Sequence, residues 1–194
     1  MDMTNLVMAP MLSLVVFVLS IGAGASLIAL ALIGTFNKSF EFFPPPNRDS
    51  WQHTTFVSLF RLFVYSLIAL SVLRFEHSNE WGRVVVGSGL LATGFCLAFF
   101  ITIQMGWRNA FGEKRGLQTT GWFRFSRNPV YVATWVGLVG WGVVVADTLV
   151  TTALLLWAII YLMAPFLEEP WLEGQYGDDY RTYRRSTPRF LGAI

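Results

Sequence analysis

Five runs of apolar residues take up most of this chain, and they limit its fold more than any other feature. Crossing a bilayer as a helix takes roughly 20 mostly apolar residues. Residues 6–33, 56–73 and 84–103 meet that length, and residues 130–146 and 149–166 come near its short end. Over 194 residues, 54% are hydrophobic and only 13% charged. A mean hydropathy of +0.52 is too high for an ordinary soluble domain. With five runs assigned, no room is left for a separate soluble unit. The expected fold is an all-α, polytopic membrane helical bundle of about five transmembrane helices, forming a single membrane domain over residues 1–194.

The first run is expected to stay in the mature protein. Residues 1–5 carry no Lys or Arg, and the run far exceeds the ~7–15 residues of a signal-peptide core. Pro10 falls near its start, where a missing amide proton costs little.

Basic residues orient the bundle. Arg108, Lys114, Arg115, Arg124 and Arg127 crowd the segment between runs three and four. Arg181, Arg184, Arg185 and Arg189 lie in the tail, and Lys38 and Arg48 lie between runs one and two. Only Arg74 and Arg83 fall between runs two and three. With five spans, the three rich groups share one face. This puts the N-terminus outside and the C-terminus in the cytoplasm of a multi-pass protein, with a bacterial inner membrane as the expected location. The formal net charge of +2 reflects this bias and implies no nucleic-acid partner. Cys96 is the single cysteine, so no internal disulfide is available. His53 and His77 fall on opposite faces, which excludes a metal site built on His and Cys.

Between runs one and two, Phe42-Phe43-Pro44-Pro45-Pro46 predicts a stiff, extended connector, with Phe42, Phe43 and Trp51 available to anchor it among headgroups. Arg61 lies about one and a half turns into the second run. It either snorkels to the interface or lines a cavity between helices. Small residues recur as stripes: Gly22 to Ala25 on the first run, Gly87, Gly89 and Gly94 on the third, Ala133, Gly137 and Gly140 on the fourth. Such stripes let helices approach closely, and Gly137 could also admit a ligand to the backbone. Residues 104–126 read as a glycine-rich cytoplasmic loop whose backbone, around Thr120 and Gly121, can come close to a ligand. There Trp122 and Phe123 either anchor at the interface or stack on a planar base.

The last two runs are separated only by Asp147 and Thr148, so they form a tight helical hairpin. Its two ends, about forty positions apart, meet at one membrane surface. One end is Ser126-Arg127-Asn128-Pro129-Val130-Tyr131. Asn128 is a favoured N-cap and Pro129 a favoured first helical residue, so the helix start presents amide protons to an anion. Arg127 adds a donor fork suited to a carboxylate. The other end delivers Glu168 and Glu169, which can accept from a ribose diol or attract an ammonium or sulfonium. S-adenosylmethionine, a zwitterionic nucleoside, matches a positive and a negative element so placed. Equally, the two glutamates can simply pair with Arg127 or the tail arginines. Beyond them, Trp171, Leu172, Tyr176, Tyr180 and Tyr183 recur near a helical period. They predict an amphipathic tail folded as a lid, broken at Gly177, with Asp178 capping the second piece.

The element at residues 126–131, Glu168-Glu169-Pro170-Trp171-Leu172, and Tyr176-Gly177-Asp178-Asp179-Tyr180-Arg181-Thr182-Tyr183 through Pro188 together resemble integral-membrane methyltransferases. These form the isoprenylcysteine carboxyl methyltransferase and phospholipid N-methyltransferase superfamily. The resemblance covers about residues 119–190. It implies a C-terminal region that binds S-adenosylmethionine near the cytoplasmic face, a lipophilic or membrane-embedded acceptor arriving from the bilayer, and a cofactor pocket containing Arg127, Asn128, Tyr131, Glu168 and Glu169. Thr120, Gly121, Gly137, Tyr180 and Tyr183 complete the expected cofactor set, and Arg127, Glu168 and Glu169 are the expected catalytic residues. No metal is implied. Asn128 stands where the isoprenylcysteine enzymes usually carry His; it hydrogen-bonds but does not titrate, which argues against a general base there and against carrying over the prenyl-cysteine substrate.

Two other classes compete. An NADPH-dependent membrane sterol or lipid reductase shares an Arg-x-Pro-x-Tyr element before a late span, but phosphates would want basic residues where this chain has paired acids. A non-catalytic membrane scaffold would tolerate substitution of the hairpin-base charges. The identity of the acceptor and the oligomeric state are not encoded in any motif.

Overall fold

The computed structural model describes residues 3–37, 40, 42–75, 80–106 and 116–192. Lys38, His77, Arg108, Gly112, Lys114 and Arg115 lie outside the described residues. Among the described residues six helices follow one another: α1 (Met3–Phe36), α2 (Trp51–Arg74), α3 (Trp81–Met105), α4 (Pro129–Val145), α5 (Thr148–Tyr176) and α6 (Asp178–Ser186). A 3-10 turn, Gly121–Arg124, precedes α4, and the described residues contain no strand.

Four helices, α1, α2, α3 and α5, are long and apolar enough to cross a membrane. The fourth expected span, α4, is apolar but has only 17 residues. It rises about 25 Å, just short of a hydrocarbon core of ~30 Å. The all-α membrane bundle with its hairpin and helical tail is therefore the observed fold. Helix α5 outruns its expected end at residue 166, continuing through Pro170 to Tyr176. Helix α1 begins at Met3, so Pro10 lies inside it rather than in its first turn.

Helix α5 is the centre of the bundle, touching α1, α2, α4 and α6; α1 also packs on α2, and α3 on α4. Trp157 of α5 is the hub, with the rings of Phe60, Phe63, Phe95, Trp141 and Tyr161 around it. Edge-on aromatic contacts of this kind add to ordinary burial. The stripes on α3 and α4 serve packing, as expected. A Cβ on Gly94 would lie 2.1 Å from the backbone nitrogen of Gly137, and one on Gly140 2.2 Å from that of Leu91. Without a hydrophobic drive in lipid, such close backbone approach is a main source of helix association.

The hairpin turns where expected. Ala146 adopts the left-handed conformation (φ 51°), and Asp147 caps α5 by accepting from the amides of Leu149 and Val150. Its carboxylate also holds Arg74 at 2.7 Å. Arg83 donates to the carbonyls of Val143 and Val144, satisfying the open end of the short helix α4. The two arginines of the sparse loop thus fasten α2 and α3 to the hairpin tip.

Other expectations are altered. The proline-rich segment bends back on the bundle instead of running straight: Phe42 is buried, stacked among Phe40, Trp51 and Phe56, and is no headgroup anchor. Gly177 (φ 54°) does break the tail, but it is itself the N-cap residue of α6. Asp178 sits inside the first turn and pairs with Arg181.

Candidate functional site: a chamber at the hairpin base

The ends of α1 and α3, the starts of α2 and α4, and the late part of α5 meet at one end of the bundle around a cavity of about 560 Å³. Its wall changes character along its length. Toward α1 and α2 it is mostly apolar, with Leu27, Ile28, Phe43, Phe56, Val57 and Phe60, and with His53 and Arg61 as its polar members. Toward the hairpin base it is polar, with Arg127, Asn128, Tyr131, Glu168, Glu169, Tyr180 and Tyr183 all contributing. Seven of the residues expected at the site thus converge on one chamber.

The charges there are arranged differently from expectation. Glu169 is buried and held by a fork from Arg189, Nε to Oε1 and Nη2 to Oε2, both at 2.7 Å. Arg127 adds a third contact to Oε1 at 3.0 Å. The Arg189 guanidinium also lies 3.9 Å over the Phe166 ring, a geometry that favours a cation. A buried carboxylate with two arginines is a satisfied structural ion cluster, so the alternative of salt-bridge pairing holds for Glu169. Glu168 is different. It accepts a 2.6 Å hydrogen bond from the Tyr131 hydroxyl, whose ring packs 4.7 Å from Tyr161, and it has no arginine of its own among the described residues.

Asn128 begins α4 and Pro129 is its first residue, as expected, but the Asn128 side chain does not cap the helix. Its Nδ2 donates instead to the Arg189 carbonyl. The hydroxyl of Ser126 accepts from the Asn128 amide and donates to the same Arg189 carbonyl. The Arg127 amide donates to the Pro188 carbonyl at 2.9 Å, and Phe190 packs on Trp135. Residues 187–190 therefore form a strap across the start of α4. Helix α6 closes the same side: Tyr183 donates to the Phe123 carbonyl at 2.6 Å, and the Tyr180 hydroxyl accepts from Arg127. Burial pushes the phenol of Tyr180 up from its ordinary range, with the Glu169 charge adding to the effect. Burial likewise pushes Tyr183 up. Both stay neutral donors and acceptors.

Three expected positions fall outside the chamber wall. Thr120 is exposed and Gly121 (φ 62°) turns the chain into the 3-10 segment; neither lines the cavity. Gly137 is covered by the Phe95 ring and by Gly94, so its bareness serves helix packing. Phe123 lines the chamber and packs on Ala98, Ile101 and Ala133, while Trp122 is exposed. Arg189 was legible only as a tail charge; the signal for its role is a lone arginine after Pro188, just where the tail helix ends. Arg61 and His53 are also lining residues. Arg61 lies ten residues into α2, nearly three turns from Trp51, because the helix starts earlier than the apolar run.

The fold and this chamber define a helical membrane protein with a polar, lidded site beside an apolar recess. The model of the phospholipid methyltransferase family matches residues 82–179, just over half of the chain, and the chain belongs to that family. The match runs from the start of α3 into α6; it leaves out α1, α2 and the strap. Neither a curated protein nor a solved structure matches the chain. Membership of a methyltransferase family makes this an enzyme of methyl transfer to a lipid-type substrate.

Proposed function

We propose that this protein transfers the methyl group of S-adenosylmethionine to a lipophilic acceptor at the cytoplasmic face of a membrane. The observation that carries the reading is the continuity of the chamber: one cavity has a charged, hydrogen-bonding end and an apolar end. A polar cofactor and an apolar acceptor need both, side by side. The charged end also has an unsatisfied donor. Arg127 Nε is buried with no hydrogen-bond partner among the described residues, and a buried guanidinium donor left so is costly. A cofactor carboxylate would satisfy it, so the residues present fit the group.

Bound there, S-adenosylmethionine supplies an electrophilic methyl on a sulfonium, open to in-line displacement. The chain's part is then alignment and exclusion of water. Arg127 would hold the carboxylate beside the start of α4, steadied by Glu169, which Arg189 neutralises. Glu168 lines the chamber with a carboxyl group suited to the amino group, ribose or sulfonium. An amine acceptor must lose a proton, and Glu168 is the carboxylate placed to take it; a carboxylate or thiolate acceptor needs no base. Tyr180, Tyr183 and α6 cover the site. Cytoplasmic placement is supported by Arg124, Arg127, Arg181, Arg184, Arg185 and Arg189 at this end, against Arg74 and Arg83 at the other.

The test is calorimetric titration of the detergent-solubilised protein with S-adenosylhomocysteine. Saturable binding with a stoichiometry near one is expected. A folded protein that binds neither this product nor the methyl donor overturns the proposal.

A further inference from the structure

The family match begins at α3, yet Leu27, Ile28 and Ala31 of α1 and Phe56, Val57 and Phe60 of α2 belong to the apolar wall, and those helices carry one feature that packing does not explain. Arg61 lies near the middle of α2, ten residues from Trp51 and thirteen from Arg74. That is about 15 Å along the helix from its start, and an arginine at such depth is expensive unless it meets water or an anion. Arg127, the other arginine lining the cavity, has a protein partner in Glu169, which Arg189 also holds. Arg61 lines the cavity, is exposed, and has no ion-pair or hydrogen-bond partner among the described residues. The face of α2 that carries it also presents Phe56, Val57 and Phe60 to the cavity. His53 stands two turns away on that face, and the apolar residues Leu27 and Ile28 of α1 line the same cavity. With Glu169 held by Arg127 and Arg189, Arg61 is the lining arginine with no carboxylate of its own among the described residues.

We propose that Arg61 is the acceptor-recognition residue: it binds the acidic group, carboxylate or phosphate, of an amphiphile whose hydrocarbon chain lies along the α1–α2 wall. The inference rests on the methyl-transfer reading only for the purpose of the bound lipid; the binding itself is separable. A guanidinium gives two parallel bonds to either acid, and the apolar wall beside it favours an alkyl chain over a soluble metabolite.

The experiment measures thermal protection of the full chain in neutral maltoside micelles by dodecyl phosphate, dodecanoate and dodecanol at one pH above the carboxylate range. One or both acids are expected to protect at about tenfold lower concentration than the alcohol, the size of one charge-assisted contact; which acid is stronger identifies the headgroup. Arg61→Gln abolishes that preference while S-adenosylhomocysteine affinity is unchanged, and Arg61→Lys keeps most of it. A wild-type protein with no preference for acids overturns the proposal. So does a preference that survives Arg61→Gln, which would make Arg61 a snorkelling side chain. If Arg61→Gln does not fold, Arg61→Lys decides: loss of the preference for acids in a folded charge-keeping variant also counts against it. Loss of S-adenosylhomocysteine binding by wild type would overturn the methyl-transfer reading alone and leave the acid preference to be judged on its own.

Discussion

At the scale of single residues, the adjacent glutamates Glu168 and Glu169 do different work because they meet different partners: Tyr131 for Glu168, Arg127 and Arg189 for Glu169. Glu169 is locked between two arginines, and removing one member of a buried ion cluster strands the others. Glu169→Ala is expected to cost about 3–5 kcal/mol, seen as a marked fall in the unfolding midpoint in detergent. Glu168→Gln keeps an oxygen to accept from Tyr131 and is expected to leave that midpoint near wild type. It removes the carboxyl group that a bound sulfonium would hold ionised, so binding of the sulfonium donor should weaken more than binding of the uncharged-sulfur product. Equal weakening of both would move Glu168 to the ribose or amino group; no change in either would remove it from the site. From sequence these two residues are indistinguishable, since neighbouring helix positions diverge by about 100° and only packing tells which side is inward.

At the scale of elements, the hairpin and its partner helix α3 depend on bare backbone and on the far-end arginines. A side chain at Gly94 would meet backbone of α4, which cannot step aside. Gly94→Val is expected to abolish recovery of folded monodisperse protein, whereas Gly89→Ala, with nothing within 4 Å of its added carbon, should purify like wild type. Size-exclusion profiles in detergent compare the two. At the hairpin tip, burial alone would raise Asp147, but the Arg74 hydrogen bond and the two α5 amides outweigh it and hold the carboxyl below its usual range. A depressed value means that this stabilisation is present above the unfolded group's titration and is lost as pH falls through the folded one. Melting midpoints should therefore drop below about pH 4, and Asp147→Asn should flatten that acid limb. An unchanged limb would assign the acid sensitivity to other carboxylates.

For the whole molecule, the strap links the C-terminal end of the chain to the hairpin base. It supplies Arg189 to Glu169, a carbonyl to Asn128 and another to the Arg127 amide. Truncation after Ser186 leaves every spanning helix in place but opens this ring of contacts. The expected outcome is retained helical circular dichroism with lost S-adenosylhomocysteine binding. Retained binding would show that α6 alone closes the site.

Sequence by itself determined the number and order of the apolar helices, the hairpin turn at Asp147, the start of α4 at Asn128-Pro129 and the convergence of both hairpin ends. These follow from run length, the fitness of proline for a first helical position and chain connectivity, all local properties. Only the tertiary structure decided which charges are free. That Glu169 is neutralised by Arg189, that Gly137 meets Phe95 instead of a ligand, and that Arg61 faces the chamber without a partner among the described residues all depend on helix rotation and on contacts between segments far apart in sequence. The resemblance of the C-terminal part was readable as a motif because spacing along one helical hairpin preserves geometry. The α1–α2 wall was not, because apolar side chains that line a recess and those that face lipid are the same residue types.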